Sequence, residues 1–143
     1  MGSNVLTRDD GKLDITHVSA LVDQLAWLRG QGHEVILVSS GAVASGRGEL
    51  GSEPHLDSVE QRQLYSAVGQ VKLVNTYYTL FREYGITVGQ VLVVKENFTT
   101  PVEYSNLRAC MSVMLDGGVM PVVNENDTVS VTELMFTDND ELL

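Results

Sequence analysis

Three polar clusters in this chain carry side chains that could hold a small amino acid: Ser39-Ser40-Gly41, Asn124-Glu125-Asn126-Asp127 and Asp138-Asn139-Asp140. Asp127 can pair with an ammonium, while Asn124 and Asn139 can hydrogen-bond a carboxylate or an amine. The Ser40 hydroxyl suits an anionic group, as do the free backbone N–H groups of a helix starting near Gly41. A substrate carboxylate has an ordinary pKa of about 4.3 and is ionised at neutral pH. It can therefore attack a phosphorus centre without a general base. Such an enzyme needs positioning and neutralisation of phosphate charge, and no His–Ser pair or catalytic Cys. Each cluster alone also reads as a run of turn formers. Two of them around one hairpin, matched by polar turns elsewhere, favour a binding site.

The elements between the clusters must position them. Asp14 is placed to cap a helix in which Ile15, Val18, Leu21, Val22, Leu25 and Leu28 recur at three- and four-residue steps, until Gly30 and Gly32 stop it. Residues 35–38 form an apolar run that leads into the small-residue turn at Ser40, and residues 47–57 read as a loop. A long helix is expected over 58–84, with Val59, Leu64, Ala67, Val68, Val71, Val74, Tyr78 and Phe81 as its apolar face. Tyr65, Tyr77, Tyr78 and Tyr84 suit a core or a subunit interface, and Trp27 suits flank packing or an interface. A strand over 87–94, a loop over 95–101 and a helix over 103–116 follow. That last helix is expected to turn Leu107, Cys110, Met111, Met114 and Leu115 inward. The run 119–123 reads as a buried parallel strand, and the alternating segment 128–136 as its hairpin partner.

Strands alternating with crossover helices imply a parallel sheet covered on both faces. The segments GSN, SSGAVASG, KENFTT and NENDT each follow a strand, counting one ahead of residue 2, and so share the sheet edge where open α/β sheets bind ligands.

At 143 residues the chain suits one domain. Nine Lys and Arg against 19 Asp and Glu give a net charge of −10, which argues against nucleic acid or an anionic membrane as partner. The single cysteine, Cys110, cannot form an internal disulfide and reads as a packed thiol. The sequence has no run of 18 apolar residues and no recognisable signal peptide, so a cytoplasmic location is expected. His17, His33 and His55 are isolated and suit surface or turn positions. No zinc site is expected.

Several segments together resemble the amino acid kinase family: GSNVLT, EVILVSSGAVASGRGEL, AVGQ, VGQVLV, YSNLR, PVVNENDTVSV and TDND. Within it they are most similar to members that phosphorylate the side-chain carboxylate of L-glutamate, giving γ-glutamyl phosphate at the first step of proline biosynthesis. The resemblance implies a three-layer α/β/α sandwich with a mainly parallel, incomplete sheet. Residues 1–143 would be the amino-acid-binding N-terminal portion, with the ATP-binding C-terminal half absent. By position, Ser40, Asp127 and Asn139 correspond to glutamate-contacting residues, with Gly41 and Asn124 nearby. Asp140 corresponds to the catalytic carboxylate that organises phosphate-neutralising lysines, and Gly2 and Ser3 to the turn beside the nucleotide phosphates. ATP with Mg2+, a homo-oligomer, and feedback by proline at an overlapping site near residues 47–57 are likewise implied. The family's first strand ends in a lysine just before the glycine at the place of Gly2, where this sequence has Met1. The alternative is therefore a non-catalytic glutamate- or proline-binding fragment. A sibling kinase for acetylglutamate, aspartate or a nucleotide fits NENDTV and TDND less well.

Overall fold

Asp14 caps the first helix as its sequence position predicts, its carboxylate accepting a hydrogen bond from the His17 N–H. The structure is a computed structural model and describes residues 6–130. Its elements are α1 (Ile15–Gly30), β1 (Leu37–Val38), α2 (Ala42–Leu50), α3 (Ser58–Arg82), β2 (Val88–Val93), α4 (Glu96–Thr99), α5 (Pro101–Asp116) and β3 (Met120–Glu125). Two short segments differ from the sequence reading. Residues 47–50 continue α2 rather than opening a loop, and the loop after β2 contains the single turn α4.

Among the described residues the sheet is parallel, in the order β1-β3-β2. Leu37 and Val38 lie opposite Val122 and Val123, and Val88 to Val93 run beside Met120 to Glu125. The central strand β3 is buried at all six positions, because helices cover both faces of the sheet. On one face Leu37, Met120 and Val122 pack against Val18 and Val22 of α1 and against Leu73, Tyr77 and Phe81 of α3. On the other, Val38, Val91, Val93 and Val123 meet Leu107, Met111 and Met114 of α5. The result is the expected α/β/α sandwich, here with three strands among the described residues. The expected hairpin over 128–136 lies almost wholly outside them.

The buried face of α3 is not the one its apolar residues suggest. Tyr65, Ser66, Gly69, Leu73, Tyr77 and Phe81 are buried, while Val71 is 72% exposed and Leu64, Ala67 and Tyr78 face solvent. Only Phe81 of the predicted apolar stripe is fully inside. The reason is the crossing of α2 over α3, which is backbone against backbone. A Cβ on Gly69 would lie 1.6 Å from the Ala42 carbonyl oxygen, and one on Gly46 1.8 Å from that of Tyr65. A contact that close selects glycine and serine, which hydrophobic periodicity does not register.

Cys110 also departs from expectation. It is exposed, because α5 rests on the sheet through Leu107, Met111 and Met114 only, and its outer side carries Val102 and Val113 into solvent.

Candidate functional site

The turns that follow β1, β2 and β3 meet at one edge of the sheet, as the strand order requires. The Ser39 N–H donates to the Val123 carbonyl at 2.9 Å, and the Asn126 N–H donates to the Val93 carbonyl at 2.8 Å. Immediately after Ser39 the chain passes through half-buried Ser40 and reaches Gly41 at φ 103°, a left-handed conformation that glycine adopts freely. That bend starts α2, whose first backbone N–H groups therefore sit at this edge, with no side-chain cap at Gly41.

Buried polarity concentrates here. Ser39, Asn124 and Glu125 are buried, whereas the lower part of the sheet is lined by Met120, Pro121, Val122 and Val91. Helix α3 satisfies much of that polarity. The Tyr77 and Ser39 hydroxyls lie 2.8 Å apart, and burial pushes the Tyr77 phenol above its ordinary value. The Asn124 amide donates to Gln70 at 2.7 Å and accepts from the Glu125 N–H at 2.8 Å. Gln70 in turn donates to Gln90 of β2 at 3.0 Å. This amide relay crosses from α3 to the sheet and fixes the orientation of Asn124.

Asp127 is held by Arg62. The guanidinium donates through Nε at 2.8 Å, and its Nη2 lies 2.7 Å from the same carboxylate oxygen. The same Nη2 lies 3.5 Å from Glu125, whose side chain is 2% exposed. Burial raises the Asp127 pKa, and the charge and hydrogen bond of Arg62 offset that rise in part. Gln63 donates to the Thr128 carbonyl at 3.2 Å and secures the turn that carries Asp127.

Of the residues singled out from the sequence, Ser40, Gly41 and Asp127 thus belong to the turns of one sheet edge, and Asn124 to the end of β3 beside them. Gly2, Ser3, Asn139 and Asp140 lie outside the described residues. The sequence alone assigns no role to Arg62, Gln70, Gln90 or Glu125. One signal could have found the first two. Arg62, Ser66, Gly69 and Gln70 form a small and polar row at helical spacing, opposite to the apolar pattern of the same helix. Among the described residues no group of His, Cys, Asp and Glu could hold a metal ion, and no helix is long and apolar enough to cross a membrane.

Residues 1–143 match the amino acid kinase family along their whole length. The chain belongs to that family. Among curated relatives, it is 67% identical to the glutamate 5-kinase of Bacteroides thetaiotaomicron over 142 residues, covering 99% of this chain and 39% of that protein. It is 48% identical to the glutamate 5-kinase of Chlorobaculum tepidum, with the same coverage of each. The glutamate 5-kinase of Clostridium tetani is 43% identical, and the chain spans 53% of its length. The parallel sheet, with its strand ends gathered at one edge, agrees with the α/β fold of that family.

Proposed function

We propose that this chain forms the amino-acid-binding part of a glutamate 5-kinase, which transfers the γ-phosphoryl group of ATP to the side-chain carboxylate of L-glutamate. The observation that carries the reading is the shared edge of Ser40, Gly41, Asn124 and Asp127, in a chain 67% identical to a glutamate 5-kinase. A carboxylate oxygen of glutamate attacks the γ-phosphorus, the bond from that phosphorus to the β,γ-bridging oxygen breaks, and ADP leaves with the electron pair. No proton moves, which fits a site with acids and amides but no paired base and nucleophile.

In this reading Asp127 receives the substrate ammonium. Asn124 supplies a fixed polar contact, and Ser40 with the first N–H groups of α2 binds an anionic group of the substrate. ATP is a second substrate, bound with its Mg2+ mainly by the remainder of the family's domain. Asp140 would organise the cations that neutralise the transferred phosphate, with Asn139 on glutamate and Gly2 and Ser3 beside the nucleotide. A cytoplasmic homo-oligomer inhibited by proline at an overlapping site completes the proposal.

Calorimetric titration tests it. The chain is expected to bind L-glutamate weakly and ATP far more weakly still. In the full-length enzyme, Asp127→Ala is expected to raise the KM for glutamate at least about tenfold, the cost of losing a hydrogen bond to a charged group, with little change in the KM for ATP. Equal changes in both would remove Asp127 from the ammonium site.

A further inference from the structure

Two acids and one base meet where α3 passes over the end of β3. Glu125 and Asp127 both approach the guanidinium of Arg62, and all three side chains are at least partly shielded from water: Glu125 is 2% exposed, Asp127 11% and Arg62 33%. With both acids ionised the trio carries one negative charge, the sign that an incoming ammonium needs. The contact to Asp127 is the tighter, with two guanidinium nitrogens on a single carboxylate oxygen. That arrangement engages one oxygen of Asp127 and fixes its rotamer.

We propose that Arg62 is a positioning residue for substrate binding: its guanidinium orients the Asp127 carboxylate and sets a compensating positive charge beside it, so that the carboxylate can receive the α-ammonium of the amino acid. The inference rests on the assignment of Asp127 to that ammonium, and it adds a residue on a helix 65 positions away in sequence. A buried carboxylate without a cation beside it drifts toward its neutral acid, which binds an ammonium poorly. Removing Arg62 therefore lowers ammonium affinity even though it also removes a positive charge from the site. The charged groups that the described residues bring against Asp127 are Arg62 from α3 and Glu125 from β3; Gln63, also from α3, is neutral.

The test is calorimetric titration of L-glutamate into the wild type, Arg62→Gln, Arg62→Lys, Asp127→Asn and the double variant Arg62→Gln/Asp127→Asn, at several pH values. Arg62→Gln is expected to weaken binding about tenfold, with Arg62→Lys recovering most of the loss. The acid limb of the binding profile is expected to move to higher pH in Arg62→Gln. In the double variant, glutamate should bind no more weakly than in Asp127→Asn alone, since the guanidinium acts through that carboxylate. Losses that multiply, or an Arg62→Lys variant as weak as Arg62→Gln, would overturn the inference while leaving Asp127 in its place. A wild type that binds no glutamate would overturn the functional reading and this inference with it.

Discussion

Helices α3 and α5 cover opposite faces of the same three strands, yet they differ in nearly every respect that matters for function. Helix α3 is held at close range, with six buried residues, and its first four turns carry Arg62, Gln63 and Gln70 to the edge formed by the strand ends. No residue of α5 is buried, and the helix touches the sheet through a single stripe of Leu107, Met111 and Met114. The difference teaches that the two layers of this sandwich are not equivalent supports. One is built to fix polar groups in place, and the other covers apolar surface.

The sharpest way to break that contrast is at the glycine crossing. Gly69→Val is expected to destabilise the chain by about 3 kcal/mol or more, since the added Cβ overlaps the Ala42 carbonyl and backbone cannot change rotamer. Urea unfolding measures it, and a cost under about 1 kcal/mol would show that the two helices do not meet backbone to backbone in solution.

A second test concerns charge on the α3 side. Folding favours the protonated form of Asp127, because burial raises its pKa. Its ionisation therefore costs stability: the cost is absent below the ordinary value of about 3.9 and is complete once pH has risen past the raised folded value. The stability of the wild type relative to Asp127→Asn is thus expected to fall as pH rises from about 4 toward neutrality. A difference that grows with pH would mean that the pairing with Arg62 outweighs burial.

The smallest effects belong to α5. Val113, 71% exposed, should accept lysine with a change within about 0.5 kcal/mol in the same unfolding assay. Cys110 should react with a thiol reagent in the native protein at a rate close to that in the unfolded chain. Protection of Cys110, or a large cost at Val113, would mean that this face is covered in solution.

Much of this architecture can be read from the letters. The apolar run Val119 to Val123 announces a buried parallel strand, and Val35 to Val38 announces β1, although only Leu37 and Val38 are strand and Ile36 is exposed; Asp14 marks a helix start by its side-chain chemistry. Ser40 and Asp127 stand out because they follow such strands directly. The face of α3 was not legible, because its contact surface is made of glycine, serine and tyrosine while valines point outward. Cys110 misled for the complementary reason: α5 is apolar on two sides, so periodicity cannot say which side meets the sheet. Arg62 was hidden by distance, since nothing local to residue 62 says that a carboxylate 65 positions later will meet it.

The crossing at Gly46 and Gly69 also bears on how this site can evolve. Substitutions elsewhere in a core are absorbed by neighbouring side chains that rotate or slide, but at these two glycines backbone lies against backbone and no side chain stands between to do so. Under the proposed function, variation in substrate preference would accumulate around Ser40 and Asp127, on a frame whose two meeting points admit only hydrogen. A library randomised across α2 and α3 should return glycine at 46 and 69 under any selection that demands a folded protein, whatever ligand it rewards.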